Sequence, residues 1–482
     1  MRITIISTIA RRFFGHKLRS WGMLVLLGIY ILSLVGLGIS RWHSYQHQAE
    51  SRHEHQERDR QSWEQNPDKH PHRMAHFGAF AFRLPHPLST FDNGLESYTG
   101  NVVFLEAHKQ NTANFSEASL STGLIRFGDL HPSMLLILIL PLLIFFIGFD
   151  AVSRERERRI LRLMYMQGVE LRELVYGKTL GLMMLAGLFA LPTLALLWAT
   201  LTLEVPDLGQ ATLLRICLLT ILYLVFLLIL CLGTVLVSAW SRSSTQALLT
   251  LLGCWLLLFV VLPKASQSLG YALWPNKTKI AQMAAIEHEV LQIGDSHNPN
   301  DPYFRGVRDS LLRAYGVDSV QQLPFNFAGY VMGLGERLTA GIHSKYQAEL
   351  SERYIQQNKL SQWLSLIDPY LAIRDLSMSL SGTDYATYND FLLQAEDYRY
   401  RLATHMAKLQ EQYVNPQWTG GSEGKRNAIS REEFRRFPPF AYRYPSVGQS
   451  LGGQALPLIS LTLMLLLLVG ISYRTSALIP IR

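Results

Sequence analysis

Six long, nearly uncharged apolar runs separated by strongly polar segments constrain this chain more than any other feature. Crossing a bilayer takes about 20 mostly apolar residues. The candidate runs are residues 21–40, 133–149, 179–203, 211–238, 245–263 and 454–473. The second run has only 17 residues and contains Pro141, which a membrane helix tolerates as a kink. The pattern predicts an all-α membrane protein with six transmembrane helices and excludes a plain soluble enzyme, a disordered chain and a fibrous one.

The charge composition agrees with a membrane protein and argues against a nucleic-acid partner. Charged residues make up 17% of the chain, compared with roughly 25% in ordinary soluble proteins. The net charge is +8, but the basic residues are not gathered into one patch with interleaved aromatics, so we predict no nucleic-acid binding. The cysteines, Cys217, Cys231 and Cys254, all lie in apolar runs. This leaves no disulfide framework and no thiolate metal site outside those runs.

The short loops indicate how the chain is oriented. With both termini inside, the inner segments hold 15 Lys and Arg in 64 residues and the outer segments hold 29 in 289. Because basic residues concentrate in cytoplasmic loops, we predict that both termini are cytoplasmic. Arg41 and Trp42 follow the first run in place of a small-residue cleavage pattern, which indicates an uncleaved anchor. Arg215 lies near the outer end of the fourth run, where we expect it to snorkel.

This topology divides the chain into seven segments. They are a cytoplasmic segment with the first span (1–40), extracytoplasmic region 1 (41–132), the second span (133–149), a cytoplasmic loop (150–178), spans three to five (179–263), extracytoplasmic region 2 (264–453), and the sixth span with a short tail (454–482). We predict that region 2 is mostly helical. Asp368-Pro369 is a helix start, and 391–413 has an apolar stripe with a period near 3.6 residues. Two pairs resemble capping boxes, Asp318 with Gln321 and Ser430 with Glu433.

A histidine-rich segment between His43 and His86 is a candidate metal site, since it holds eight of the 15 histidines. Three closely spaced pairs occur in it: His43 and His47, His53 and His55, and His70 and His72. A spacing of four on a helix can hold a metal ion. However, no cysteine joins these pairs and no HExxH motif is present. A solvated polar face explains the same residues, and both interpretations stay open.

The inner loop 150–178 combines many charges with an apolar stripe. It has five acids and seven bases in 29 residues, and its apolar positions include Ile160, Leu163 and Leu174. We predict two short helices separated by Gly168. An amphipathic helix directly after a span lies at the membrane interface. The loop is therefore either an orientation signal on lipid headgroups or a docking surface for a cytoplasmic partner, with Glu155 and Glu157 pairing to bases.

This loop resembles the coupling region of ABC exporter permeases of the type-2 class. Their usual pattern is E-x-E-x-G-T-L, then a small turn and a Lys-bearing start of the next span. The matching residues are Glu155, Glu157, Leu161, Gln167-Gly168 and Gly177-Lys178. Arg159 and Ile160 stand where Gly and Thr are usual, so the local backbone shape is where this chain can differ from the family pattern. The resemblance implies that the ATPase-coupling residues are Glu155, Glu157, Leu163, Gln167 and Gly168.

The outer regions are similar to one subgroup of bacterial permeases, which carries a large extracytoplasmic domain of unknown function. Residues 75–111, 323–327, 368–384 and 437–445 carry this similarity, which covers nearly the whole chain. The resemblance implies an inner-membrane permease subunit that pairs with a second permease, identical or different. Separate ABC ATPase subunits would bind ATP, so the chain itself would need no cofactor. A periplasmic protein is a further expected partner, and the substrate is not fixed.

No catalytic motif is present in the sequence. There is no G-x-x-x-x-G-K-[ST], and the nearest stretch, 420–426, lacks both its spacing and its hydroxyl. There is no G-x-S-x-G and no zincin motif. Glu287, His288 and Glu289 form only a sequential trio, which is weak evidence for any site. We therefore predict that the chain is a permease subunit and not an enzyme, and we disfavour a membrane-tethered enzyme.

Two ATP-driven functions fit the sequence. In an exporter, closure of the ATPase pair would move the spans through residues 163–168, and the uniformly apolar spans three to five suit a lipophilic cargo. In the alternative, the protein is a lever that remodels or assembles an envelope protein without transport, which the size of the outer regions favours. A cavity between spans two and five of paired subunits would distinguish the exporter from the lever.

Overall fold

The computed structural model describes residues 2–111, 113–114, 116, 130–202, 209–296, 298, 300–417 and 427–478, with side chains to residue 474. The predicted loop 204–210, the stretch 420–426 and the predicted tail 474–482 fall wholly or partly outside these ranges.

The regular secondary structure of the described chain is helical except for one two-stranded sheet. Its elements are α1 (Ile3–Leu18), α2 (Trp21–Gln65), α3 (Pro71–Phe77), β1 (Ala79–Phe82), β2 (Val102–Leu105), α4 (Pro132–Met134, Leu135–Ile139 and Leu140–Gly148), α5 (Ser153–Glu157), α6 (Ile160–Met166), α7 (Leu171–Ala199), α8 (Gly209–Trp240), α9 (Ser244–Leu256, Leu257–Val261 and Leu262–Leu273), α10 (Lys279–Ile293), α11 (Pro302–Tyr315), α12 (Phe327–Leu364), α13 (Pro369–Ser381), α14 (Tyr385–Tyr413), α15 (Arg431–Arg435), α16 (Val447–Gly452) and α17 (Ala455–Leu478).

Six helical segments of the described chain are long and apolar enough to cross a membrane, which confirms the predicted class. They are Trp21–Gln65, Pro132–Glu157, Leu171–Thr202, Gly209–Trp240, Ser244–Leu273 and Ala455–Arg474. Several extend beyond the predicted runs. α2 continues through polar sequence to Gln65, and α7 begins at Leu171 instead of residue 179. Hydropathy detects only the lipid-compatible part of a helix, whereas backbone hydrogen bonding continues past it.

Two spanning helices contain a π-helical turn just before a proline. Leu135–Ile139 precedes Pro141 in α4, and Leu257–Val261 precedes Pro263 in α9. Proline lacks an N–H and its ring clashes with the carbonyl four residues earlier, so a wider turn accommodates it. As a result, Pro263 does not end the fifth span, which runs ten residues further to Leu273.

The membrane core is built from α4, α7 and α8. Leu140, Phe189, Tyr223 and Phe226 are fully buried there. The most apolar stretch of the second span is 67% buried, against 17% for the first and fifth spans and 22% for the sixth. The helices α2, α9 and α17 therefore flank this core and present apolar side chains outward.

The two predicted outer regions share one hydrophobic core, so we describe them together as the extramembrane domain (residues 41–131 and 274–453). Trp63 and Met74 from the first region pack in one cluster with Phe391, Tyr398 and Met406 from the second. β1 and β2 pair antiparallel and add Ala81, Val103 and Leu105 to this cluster. The predicted helical character of the larger region is confirmed, and this antiparallel pair forms the sheet of the described chain.

Helix α13 connects this domain to the membrane core, because Ile373, Leu376 and Leu380 pack among the spanning helices. Arg215 of α8 is 2% exposed and donates to the carbonyls of Leu380 at 2.8 Å and Pro445 at 2.6 Å. The expectation that Arg215 snorkels is therefore wrong. Its guanidinium instead donates hydrogen bonds to carbonyls at the C-terminal end of α13, where a helix leaves acceptors unpaired.

The predicted helix starts in the extramembrane domain have mixed outcomes. Asp368 caps α13 by accepting from the Tyr370 N–H at 2.9 Å, with Pro369 in the first turn, which confirms that prediction. Ser430 caps α15, but Glu433 pairs with Arg436, so the reciprocal box is incomplete. The Asp318 box is wrong, because Ser319 precedes a short 3-10 helix there.

Candidate functional site

The loop 150–178 folds as two short helices, α5 and α6, that precede α7. The break between α5 and α6 is at Arg159, which has a φ of 60°, and Gly168 has a φ of 80° between α6 and α7. Gly168 therefore separates two helices, as predicted, but the second of them is the long α7 and not a short helix. A glycine in the left-handed region commonly ends a helix, and Gly168 does this for α6.

The carboxylate of Glu155 ties α5 to α7. It forms a short ion pair with the ammonium of Lys178, and that ammonium lies 4.9 Å from the ring centroid of Phe13 in α1. The pair is only partly exposed, at 20% for Glu155 and 10% for Lys178. Because the pair is shielded from water, its attraction is screened less than that of a surface pair. Glu155 thus holds three helices together.

The next two residues cap the ends of two spanning helices. Arg156 donates to the Ala239 carbonyl at 2.6 Å and to the Ser241 carbonyl, at the end of α8. Glu157 accepts from the Ser244 N–H at 2.9 Å and the Ser244 hydroxyl at 2.8 Å, at the start of α9. A cation at a helix C-terminus and an anion at an N-terminus both complement the helix dipole. Glu157, which we predicted would pair with a base, caps α9.

A buried serine contact fixes the beginning of α5. The hydroxyl oxygen of Ser238 in α8 accepts from the Val152 N–H at 3.0 Å and the Ser153 N–H at 3.2 Å. Val152, Ser153 and Ser238 are fully buried. Because the first N–H groups of a helix have no partner within the helix, this contact satisfies donors that would otherwise be buried without one.

Helix α1, which the sequence analysis did not identify, braces the same end of the membrane region. Arg2 pairs with Glu173 at 2.8 Å, and Lys17 pairs with Asp150 at 2.7 Å. Glu173 also accepts from the Glu170 N–H at 3.1 Å and so caps α7. The apolar spacing of Ile6, Ile9, Ala10 and Phe13 was an available signal for an amphipathic helix.

Helix α6 buries Leu161 on one side and exposes its other side. Leu163 is 55% exposed, Tyr165 56% and Met166 73%, while Leu161 is buried. Gln167 and Gly168 are exposed as well. We call residues 163–168 the loop tip and residues 152–157 the loop base. Of the predicted site residues, Glu155 and Glu157 lie in the base, whereas Leu163, Gln167 and Gly168 lie in the tip.

The predicted histidine pairs do not form metal clusters among the described residues. His43 and His47 lie on the long helix α2. Instead, His72 and His76 of α3 approach His108, which lies outside the histidine-rich segment. Residue spacing alone did not reveal this, because the loop after β2 supplies the third histidine.

Comparison with protein families gives two matches. Residues 97–273 match the family described as ABC-2 family transporter protein, a segment that includes the loop 150–178 and four of the six spans. Residues 279–443 match a domain of unknown function (DUF3526). No curated protein and no solved structure matches the chain.

Proposed function

This chain joins the membrane region of the ABC-2 transporter family to a DUF3526 domain, and from this premise we propose that it couples ATP hydrolysis by a separate ATPase subunit to substrate export. The ATPase would bind ATP and dock on the loop tip. The chain would contribute no ATP-hydrolysing site and need no cofactor of its own. A second permease, identical or different, would complete the membrane part of the transporter.

The observation that supports this proposal most strongly is how the loop base is attached. Glu155 contacts α7, Arg156 contacts the end of α8, and Glu157 contacts the start of α9. The base also continues directly from α4. A force applied to the exposed tip would therefore reach three spanning helices through short polar contacts and α4 through the chain itself.

The proposed mechanism is a rigid-body switch. Closure of the ATPase pair would displace the apolar tip, which is anchored on its inner side by buried Leu161. The base would transmit that displacement to the ends of α7, α8 and α9. Since packed elements move as units between discrete arrangements, the spans would reorient together and change access to a pathway between paired subunits.

We place the loop end of the molecule in the cytoplasm and the extramembrane domain in the periplasm of a bacterial inner membrane. The concentration of Lys and Arg in the short inner segments supports this orientation. The outward apolar faces of α2, α9 and α17 are suited to lipid and to a second permease. A periplasmic protein would then meet the extramembrane domain.

The alternative is an ATP-driven lever that remodels an envelope protein without transport, and the position of α13 favours it. This helix belongs to the extramembrane domain, yet its Ser377 shares a hydrogen bond of 2.8 Å with Tyr223 of α8. Arg215 fixes the end of the same helix. Motion of α8 would therefore move the extramembrane domain, whether or not a substrate crosses the membrane.

A matched pair of double variants tests the coupling role. L163A/M166A truncates two exposed apolar side chains of the tip, and I280A/M283A truncates two that are also exposed and have the same spacing on α10. In nanodiscs containing the permease and its ATPase, we expect L163A/M166A to lower permease-stimulated ATP hydrolysis at least tenfold. I280A/M283A should leave this rate unchanged. Equal rates in both variants would count against docking at the tip.

A further inference from the structure

Three histidines of the extramembrane domain converge at its surface. His72 and His76 lie four residues apart on α3 and so project from one face of that helix. His108 follows β2. Each imidazole offers one nitrogen, and these three nitrogens lie within 4.8 Å of one another. The ring centroids of His72 and His76 are 4.7 Å apart, and that of His108 lies 5.9 Å and 5.5 Å from them.

The position of His108 is fixed by the backbone around it. The Ala107 N–H donates to the Ala75 carbonyl of α3 at 3.2 Å, which holds the loop against the helix that carries the other two histidines. Helix α3 is itself anchored by fully buried Met74. His108 has a φ of 65°, a left-handed conformation that is uncommon outside glycine and concentrates at functional sites.

A buried carboxylate orients His108. Oε2 of Glu336 lies 3.3 Å from Nδ1 of the His108 ring and accepts from the backbone N–H of His108 at 3.1 Å. Its other oxygen, Oε1, accepts from Arg399 at 2.6 Å. Arg399 and Glu336 thus form an ion pair in which both side chains are buried.

The contact between Glu336 and His108 is typical of metal-binding histidines. A ligating imidazole usually donates its other ring N–H to a carboxylate, which fixes the tautomer and raises the basicity of the ligating nitrogen. An Nδ1–H of His108 directed to Glu336 would leave the lone pair of the ring on Nε2 for a metal ion. The site thus combines the carboxylate of Glu336 with two histidines of α3 and one histidine of the loop after β2.

We propose that His72, His76 and His108 bind Zn²⁺ with Glu336 as the positioning carboxylate. Zn²⁺ prefers imidazole nitrogens at about 2.0–2.1 Å, and three histidines leave a fourth position for water or another ligand. His76 is exposed, so its ring can rotate. This rotation would let all three nitrogens reach bonding distance of a single Zn²⁺ ion. The ion would fasten the loop after β2 to α3 and leave an open coordination position at the surface of the domain.

Zinc titration of the full-length protein in detergent tests this proposal, with a purification tag that contains no histidine. We expect one Zn²⁺ per chain after chelator treatment, measured by calorimetry. H76A removes an exposed ligand with little effect on packing and should weaken binding at least tenfold, and H108A should do the same. H43A/H47A is the matched control, because it removes a histidine pair of the same helical spacing and should leave the affinity unchanged.

The role of Glu336 has its own readout. E336Q keeps the shape of the side chain but loses its charge, and loss of such a partner typically weakens metal binding 10- to 100-fold. Replacement of Zn²⁺ by Co²⁺ should give the visible absorption of a four-coordinate ion in the wild type, with a shifted spectrum in E336Q. Zinc binding that is unchanged in H76A, equally weakened in H43A/H47A, or not saturable in the wild type would overturn the proposal.

Discussion

Arg159 holds a backbone conformation that glycine adopts far more easily. Its φ of 60° lies in the left-handed region, where a non-glycine residue costs roughly 1–2 kcal/mol. The type-2 permease pattern that this loop resembles has glycine at this place. In this chain an arginine occupies the turn between α5 and α6, in a conformation that suits glycine better.

The variant R159G should stabilise the protein, since it relieves this conformation and removes an exposed side chain. We expect a gain of about 1 kcal/mol, which is reduced somewhat by the greater freedom of glycine in the unfolded chain. Thermal unfolding in detergent measures the change. A lower melting temperature in R159G would show that the arginine side chain contributes more than its backbone conformation costs.

Asp368 should make stability depend on pH in the direction opposite to most acids. It is fully buried at the start of α13, and burial raises its pKa to about 7, whereas an unfolded aspartate has a pKa of about 3.9. Between these values the folded state binds more protons than the unfolded state. The contribution of Asp368 to stability is therefore greatest at low pH and is lost as the pH rises from about 4 to 7.

The variant D368N isolates this contribution, because asparagine is also a good N-cap and carries no charge. We compare the melting temperatures of the wild type and D368N in detergent at pH 5 and pH 7.5. The wild type should lose more stability between these two values than D368N. If the melting temperature falls equally in both proteins, Asp368 is not protonated in the folded state at pH 5.

Single residues of the loop could be identified from sequence only where a local motif contained them. Glu155 and Glu157 belong to such a motif, but their contacts with Lys178 and Ser244 form only through folding. Arg156 lies between the two acids and caps α8 through carbonyls more than 80 positions away. Sequence spacing holds no information about such contacts, so the polar attachment of the loop base had to come from the structure.

At the scale of elements, the close packing of α1 on α7 depends on two glycines. A Cβ on Gly177 would lie 2.7 Å from Cβ of Ile9, and one on Gly181 would lie 2.8 Å from the Ala10 carbonyl oxygen. Both distances are shorter than the closest approach of a Cβ atom to a nonbonded heavy atom. The ion pairs of Arg2 and Lys17 hold α1 against this end of the membrane region. That close packing requires residues without side chains at positions 177 and 181 of α7.

Alanine substitutions on the same helix test this requirement. G181A should destabilise the protein by about 1–3 kcal/mol, as expected for overpacking, because α1 must move away from α7. G187A is the control, since no atom lies within 4 Å of its added Cβ, and alanine favours helix by up to about 1 kcal/mol. Opposite shifts of melting temperature are expected, and a stabilised G181A would contradict close packing of α1.

Hydropathy predicted the existence of the six spanning helices but not their ends. The apolar runs stop where lipid stops, whereas α2 continues to Gln65 and α9 to Leu273. Helix α1 was missed because its apolar face is only one side of a helix with basic residues, so its average hydropathy is low. A periodicity search over residues 3–18 identifies it, whereas a search for apolar runs cannot.

At the scale of the whole molecule, the membrane region and the extramembrane domain are connected through their cores. Sequence order divides the outer residues into two regions, but Lys69 pairs with Ile429 across a β-bridge and the two regions share a hydrophobic cluster. Trp63 also donates to the Phe434 carbonyl at 3.1 Å. These partners are more than 350 positions apart, so no local pattern could predict that the two regions form one domain.

The central claim is that the loop tip contacts an ATPase, and site-specific photo-crosslinking in intact cells tests it most directly. A photoreactive residue replaces Met166 in the tip or, as the control, Met283 on α10, which is similarly exposed. Mass spectrometry then identifies the crosslinked proteins. The proposal predicts an ABC ATPase crosslinked from position 166 and none from position 283. A well-inserted protein that gives no ATPase from position 166, or gives it equally from both positions, would contradict the claim.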